Sequence, residues 1–249
     1  MSTSGLHDRV VFITGAAKRV GAALARGFHA EGCRVVVHSH RSRTEAEALC
    51  GQFNAQRPNS ALACSANLLD VASFPGLISQ ALERFGRLDV LINNASTFYP
   101  TPIGKIETAA WDDLIGTNLK APLFLSQAAA PALKASHGLI INLIDIHSMR
   151  PLPNHPVYST AKAGLAMLTR SLARELSPEV RVNGISPGPI LWPEGGIDST
   201  LQEEIISKTL LKRTGSPEDL VRTAIFFARD ATYVTGQILA VDGGRSVGW

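Results

Sequence analysis

The sequence predicts an α/β fold: a single domain on a doubly wound parallel sheet of seven strands, with helices on both faces. Three observations predict it. Short runs rich in Val, Ile and Leu alternate with stretches of helical periodicity along the whole chain, and no linker or internal repeat separates them. The first run, Arg9 to Thr14, passes through a glycine turn into a helical stretch. A later run, Gly138 to Ile144, ends on Asp145, and a turn carrying Pro151, Pro153 and Pro156 leads from it into another helical stretch. With 249 residues, 45% of them hydrophobic, the chain can bury one substantial core.

Composition excludes several classes of function. The formal charge of +3 arises from 24 basic and 21 acidic residues scattered along the chain, so no nucleic-acid partner is expected. Cys33, Cys50 and Cys64 are odd in number and lack metal-ligand spacing, which suits reduced thiols in a cytoplasmic protein and no metal. Met1 to Val10 lacks the apolar segment of a leader, and no apolar run approaches the ~20 residues that span a bilayer. A soluble, cytoplasmic protein with no membrane partner is expected.

Taken in order, the first strand is followed by Gly15-Ala16-Ala17-Lys18-Arg19-Val20-Gly21 and a helix to about Glu31. Such a turn lets backbone N–H groups approach a pyrophosphate, which the helix dipole also favours, so Gly15, Arg19, Val20 and Gly21 are candidate cofactor contacts. The second strand, Arg34 to His38, runs into Ser39-His40-Arg41-Ser42. An NAD-selective site places Asp or Glu about 20 residues past the glycine turn, and none is present. Arg41, the hydroxyls of Ser39 and Ser42 and a histidine donor at His38 or His40 suit a 2'-phosphate, so NADPH is the expected cofactor. His38 and His40 as a metal pair have no third ligand near them in sequence.

Thr44 to Arg57 reads as a helix, Ala61 to Ser65 as a strand ending at Asn67-Leu68, and Val71 to Phe85 as a helix. Leu88 to Asn93 is a strand running into Asn94-Ala95-Ser96, and Trp111 to Leu133 a long helix carrying Asn118, which Pro122 is expected to bend. Past Asp145, Tyr158 and Lys162 fall at i and i+4 on one helical face. A phenol has an ordinary pKa of about 10, and a neighbouring ammonium is expected to lower it, which would let Tyr158 pass a proton at neutral pH. That helix runs to about Leu176, and Val180 to Ile185 is a strand ending in Ser186-Pro187-Gly188-Pro189-Ile190. Leu191 to Lys212 reads as a loop and short helix, a lid over a substrate. Pro217 to Ala228 is the last helix and Gly236 to Val241 the last strand.

Tyr158-x-x-x-Lys162, the glycine turn and Asn93-Asn94-Ala95-Ser96 together resemble the short-chain dehydrogenase/reductase family over essentially the whole chain. The resemblance implies a Rossmann-type sheet with a dinucleotide across its carboxyl edge. The chain departs from the common T-G-x-x-x-G-x-G by placing Arg19 at the middle glycine. That arginine, His38 to Ser42, Arg57 to Ala61 and Asn93 to Pro102 resemble the pteridine reductase branch.

What this implies is specific. Asn67 and Leu68 would meet adenine, and Asn94, Ala95 and Ser96 the adenosine ribose. Pro187, Gly188 and Ile190 would hold the carboxamide, although the threonine often found past Pro-Gly is missing. Lys162 would bind the nicotinamide ribose, and Asn118 would join it to solvent as a proton relay. Phe98 would stack on one face of a pterin, with Arg19, Ser96, Asp145 and Tyr158 completing the substrate site.

Asp145 lies thirteen residues before Tyr158, where carbonyl-reducing relatives carry serine, and Ser148, ten residues before it, is assigned to a turn. An acid there that stays protonated could supply or relay the proton that a reduced C=N nitrogen gains. The expected function is NADPH-dependent reduction of a dihydropterin, of biopterin or monapterin type, or of dihydrofolate, by a homotetramer. Two alternatives stand beside it: a carbonyl reductase of acyl-carrier β-keto groups, and a non-catalytic NADPH-binding regulator.

Overall fold

A computed structural model describes residues 5–193 and 195–248; Met1 to Ser4, Glu194 and Trp249 lie outside it. Part of the Met1 to Val10 segment and one residue of the expected lid therefore fall outside the described residues.

The elements are β1 (Val10–Ile13), α1 (Arg19–Ala30), β2 (Arg34–Ser39), α2 (Arg43–Gln56), β3 (Ala61–Ser65), α3 (Phe74–Phe85), β4 (Val90–Asn93), α4 (Thr108–Ile115), α5 (Ala121–Ala135), β5 (Leu139–Leu143), α6 (Pro156–Glu175), β6 (Arg181–Pro187), α7 (Ser199–Ser207), α8 (Pro217–Arg229) and β7 (Ile238–Val241). The strands form one sheet in the order β3-β2-β1-β4-β5-β6-β7, every neighbouring pair parallel. This is the seven-stranded, doubly wound sheet expected from the sequence.

The period of two along each strand builds a core on each side. Val11, Ile13, Val35, Val37, Ile92 and Ile141 pack with Leu24 and Phe28 of α1, Leu49 and Phe53 of α2, and Leu220 and Ala224 of α8. Their neighbours Val10, Phe12, Val36, Leu91 and Ile140 face the other way, against Leu77 and Ala81 of α3, Leu125 and Ala129 of α5, and Leu172 of α6. Because both faces are covered, the strands are mostly apolar and show no inside-outside alternation. Strand order reverses between β1 and β4, and a doubly wound sheet opens a crevice at such a point, beyond the carboxyl ends of its strands.

One element differs from expectation. Trp111 to Leu133 is not a single regular helix bent at Pro122: α4 and α5 are joined by a π-helical turn, Gly116–Lys120. Pro122 follows directly, in the first turn of α5, and has no N–H with which to continue the helical ladder that runs into it from the π turn. The π turn carries Asn118.

Candidate active site

At the switch point, β1 and β4 are fastened by one hydroxyl. Thr14 Oγ1 accepts the N–H groups of Asn94 and Ala95 at 2.9 and 3.0 Å. Asn94 Nδ2 in turn donates to the carbonyls of Thr14 and Gly15 at 2.8 and 3.1 Å, so its amide holds the glycine turn from below. The packing there admits only glycine: a Cβ on Gly21 would lie 2.2 Å from the Gly15 carbonyl oxygen and 2.7 Å from Asn94 Nδ2. Gly15 takes φ +62° and lies against Ala95.

The groove above this turn has a volume of about 490 Å³. Gly15, Arg19, Val20, Gly21, Asn94, Ala95, Ser96, Tyr158, Lys162, Pro187, Gly188 and Ile190 all line it. The sequence reading missed Lys18, Leu143, Ile144 and Leu220 among its walls, since nothing in their spacing sets them apart from core or surface residues. Arg19 holds φ +51°, a conformation that costs an L-residue about 1–2 kcal/mol and glycine nothing. Its Nη2 donates to the Trp192 carbonyl at 2.7 Å, tying the glycine turn to the segment after β6.

The residues beyond β2 fit a dinucleotide with one exception. Ser39 Oγ, at the carboxyl end of the strand, is 3% exposed at the residue level and has no hydrogen-bond partner. A buried hydroxyl without a partner is rare. Beside it His40 and Arg41 are exposed and Ser42 stands at the N-cap position of α2 with no side-chain cap hydrogen bond, so a hydroxyl, a guanidinium and a helix N-terminus adjoin one another. His38 is the exception, and the expectation that it contacts a phosphate is corrected. It is buried, its Nδ1 accepts the Gly15 N–H at 3.3 Å and its Nε2 donates to the Ala66 carbonyl at 3.2 Å. Burial, chiefly, depresses its pKa to about 4, so it is a neutral spacer beneath the glycine turn.

Of the expected adenine contacts, Asn67 is exposed with its Oδ1 already accepting the Leu69 N–H at 3.0 Å. Leu68 turns its side chain into the core, leaving only its backbone for a ligand. Were this cluster to hold a 2'-phosphate, charge-assisted contacts would give a preference for NADPH over NADH on the order of tenfold to a hundredfold. Arg41→Ala should narrow it by raising KM for NADPH alone; equal kcat/KM with both cofactors in the wild type would refute the assignment.

The chemical groups converge above the ends of β5 and β4. Asp145 caps the short 3-10 turn Ile146–Ser148, accepting the His147 N–H on Oδ1 at 2.8 Å. Its Oδ2 accepts the Tyr158 hydroxyl at 2.8 Å. Tyr158 stands in the first turn of α6 and is 5% exposed. Lys162, one turn on and 2% exposed, donates from Nζ to the Leu143 carbonyl at 3.0 Å and lies 5.6 Å from the Tyr158 ring centroid.

Two expectations change here. Burial first, then the Asp145 carboxylate and the hydrogen bond to it, hold the Tyr158 phenol well above its ordinary pKa, the Ser96 hydroxyl opposing them. The expected acidification by the Lys162 ammonium is corrected: burial and the Asp145 carboxylate govern this phenol, and both act to raise it. Asn118, expected to serve Lys162, instead accepts the Ser96 hydroxyl at 2.6 Å and donates to the Thr97 and Leu114 carbonyls at 3.0 and 2.9 Å. The π turn thus pins the segment that carries Phe98.

Burial also lowers Lys162 from 10.5 to about 8, the Asp145 carboxylate partly opposing it. The ammonium is present below that value and lost above it, so if its charge is needed, turnover falls as pH rises through about 8. Asp145→Asn, which removes the opposing charge, should move this limb to lower pH. A kcat/KM profile flat to pH 10 in the wild type would show that the charge is not required.

Phe98 is exposed to 48% and stacks on His155, centroids 4.7 Å apart and planes 9° apart. It meets Tyr158 edge-on, at 4.9 Å and 79°. Ser148 lies on the turn after Asp145, its N–H donating to the Asp145 carbonyl at 3.0 Å, as the turn assignment requires. Among the described residues no group of three His, Cys, Asp or Glu could hold a metal, and no helix is long and apolar enough to cross a membrane.

A groove at the switch point of a parallel sheet, floored by a glycine turn and flanked by a Tyr-Lys pair, defines a dinucleotide-dependent oxidoreductase. The profile of the family described as enoyl-(acyl carrier protein) reductase matches residues 15–246. Pteridine reductase 1 of Leishmania tarentolae is 37% identical, with 96% of each chain covered. A putative ketoacyl reductase of granaticin polyketide synthesis from Streptomyces violaceoruber is 34% identical over 98% of both chains. The 3-oxoacyl-(acyl-carrier-protein) reductase of Staphylococcus aureus is 34% identical over 93% of this chain and 96% of its own. The chain belongs to the short-chain dehydrogenase/reductase family and is an NAD(P)-dependent reductase.

Proposed function

We propose that the protein reduces a dihydropterin or dihydrofolate to the tetrahydro form with NADPH. The observation that carries this reading is the 2.8 Å hydrogen bond from the Tyr158 hydroxyl to Asp145. A carbonyl reductase needs a donor at that place to stabilise a developing alkoxide, and a carboxylate has the wrong sign for that task. Reduction of a C=N instead requires a proton on nitrogen.

Arg41, Ser39 and Ser42 would hold the 2'-phosphate, the glycine turn with Arg19 the pyrophosphate, and Lys162 with Pro187, Gly188 and Ile190 the nicotinamide end. The cofactor bound there supplies the hydride. Tyr158, kept protonated through neutral pH, holds the proton that the ring nitrogen gains. Asp145 orients that proton and takes up its replacement. Phe98, exposed beside Tyr158, offers a flat wall to a flat heteroaromatic ring. Arg19 and Ser96 line the groove together with Tyr158, and Asn118 fixes Ser96 by its hydroxyl.

The ketoacyl reductases among the relatives favour a second reading, reduction of β-keto thioesters, with Ser148 in place of Asp145 as the group acting with Tyr158 and Lys162. NADPH oxidation with dihydrobiopterin, dihydromonapterin, dihydrofolate and a β-keto thioester tests both. Turnover of pterins or folate supports the first reading, and turnover of the thioester alone replaces it with the second.

We further propose that the chain is one NADP(H)-binding domain whose 190–212 segment acts as a lid, in keeping with the contact from Arg19 to Trp192. The proposed assembly is a homotetramer in the cytoplasm. Exposed Leu123 and Met167 on α5 and α6, and exposed Phe226 and Leu239 on α8 and β7, would find cover in it.

A further inference from the structure

His155 lies at the N-cap of α6, three residues before Tyr158, and its ring is parallel to that of Phe98 at 4.7 Å. This histidine is fixed from two sides. Its Nδ1–H donates to the Pro153 carbonyl at 2.8 Å, which sets the ring's orientation. The carbonyl of the preceding residue, Asn154, accepts the Thr101 N–H at 2.6 Å, so the turn before α6 is stitched to the loop that carries Phe98. Asn154 takes φ +61°, a sharp reversal that delivers His155 to the ring. From the other end, Asn118 on the π turn holds Thr97, the residue next to Phe98.

Phe98 is thus held at its backbone by one element and at its face by another, yet it remains about half exposed. An exposed phenyl ring with a free χ1 is a poor wall, because it must lose rotamer freedom each time a ligand stacks on it. A ring already stacked on a hydrogen-bonded imidazole has lost that freedom beforehand. Aromatic pairs in this geometry gain from dispersion and quadrupole fit beyond their buried area.

We propose that His155 is a positioning residue for the substrate wall: it backs the Phe98 ring, so that a flat heteroaromatic substrate meets a surface set in one plane beside Tyr158. This role rests on the pterin reading of the site. It predicts that selectivity for flat rings resides in a pair, Phe98 and His155, although only Phe98 would touch the substrate. Tyr158 is edge-on to Phe98, which places the proton donor at the border of that wall.

The test compares His155→Ala, His155→Phe and His155→Gln in the full-length protein saturated with NADPH. The readouts are KM and kcat for dihydrobiopterin and the dissociation constant of 2,4-diaminopteridine, a flat ring whose binding needs no turnover. In His155→Ala, KM and the dissociation constant should both rise about threefold to tenfold, with kcat nearly unchanged. His155→Phe should restore both by replacing the stack, whereas His155→Gln, which keeps a polar group but no ring, should resemble alanine. Unchanged or tighter pteridine binding in His155→Ala would overturn the role, the latter by showing that the imidazole sits where substrate belongs. Rescue by glutamine equal to that by phenylalanine would also overturn it. A wild type that neither reduces dihydrobiopterin nor binds the diaminopteridine refutes the pterin reading itself, and with it this role; binding that is tight in the wild type and indifferent to residue 155 refutes the role alone.

Discussion

Tyr158→Phe should lower kcat by about 10²- to 10⁴-fold, the range of general acid catalysis, while leaving NADPH affinity and the fold nearly intact. The substitution removes one oxygen from a side chain whose ring is already buried among Leu114, Val157, Tyr99 and Ile115, so the packing that holds the start of α6 survives. What it removes is the hydroxyl that donates to Asp145. The pKa of that hydroxyl is held high by burial and by the carboxylate, which makes it a reserve of one proton rather than a ready anion. A reductase needs that state before hydride transfer. Kinetics in a single turnover with bound NADPH would separate this step from product release, and a variant that retains more than about a tenth of wild-type kcat would place the proton donor elsewhere.

Most of the scaffold was legible in the sequence because both faces of a parallel sheet are covered. Val10–Ile13, Val90–Asn93 and Leu139–Leu143 are buried at every position and read as apolar runs, interrupted only by Asn93 and Asn142. The same double burial hid the role of His38. Alternation along β2 carries no inside-outside signal when both sides are inside, so a histidine beneath the glycine turn and one reaching a ligand look alike from sequence. The π turn at Gly116–Lys120 was hidden for a different reason: one extra residue in a helical turn scarcely disturbs the apolar periodicity on either side. Gly116, its first residue, and Pro122, just past its end, were the available signal.

The i, i+4 spacing of Tyr158 and Lys162 correctly predicted a shared helical face, but spacing does not give burial, and burial decides both of their pKa values. His155 illustrates the remaining limit. Its partner Phe98 is 57 residues away in sequence, and only the folded turn at Asn154 brings their rings together.

Asp145→Ser and Asp145→Asn should each lower kcat for dihydropterin by roughly 10²-fold or more, about 2.7 kcal/mol in the barrier, with KM affected less. Two functions of this carboxylate must be kept apart. Through Oδ1 it caps the turn Ile146–Ser148, and through Oδ2 it accepts the Tyr158 hydroxyl. Asparagine preserves the cap, since an amide oxygen accepts the same N–H, and serine keeps it in weaker form, so both variants should fold with losses of no more than about 1 kcal/mol. Neither can return a proton to Tyr158. With its oxygen on the cap, asparagine would also orient the phenol, by donating from Nδ2 to the hydroxyl oxygen, and would still fail; a purely orienting role predicts that it retains activity. The comparison therefore isolates proton exchange from geometry. Serine carries a further consequence, because it restores the hydroxyl that a ketone-reducing site uses thirteen residues before its tyrosine. Asp145→Ser should gain activity on a β-keto thioester as it loses activity on pterins. If instead Asp145→Ser turns over at the wild-type rate and Ser148→Ala is inactive, Ser148 is the group that acts with Tyr158 and Lys162, and the protein is a carbonyl reductase.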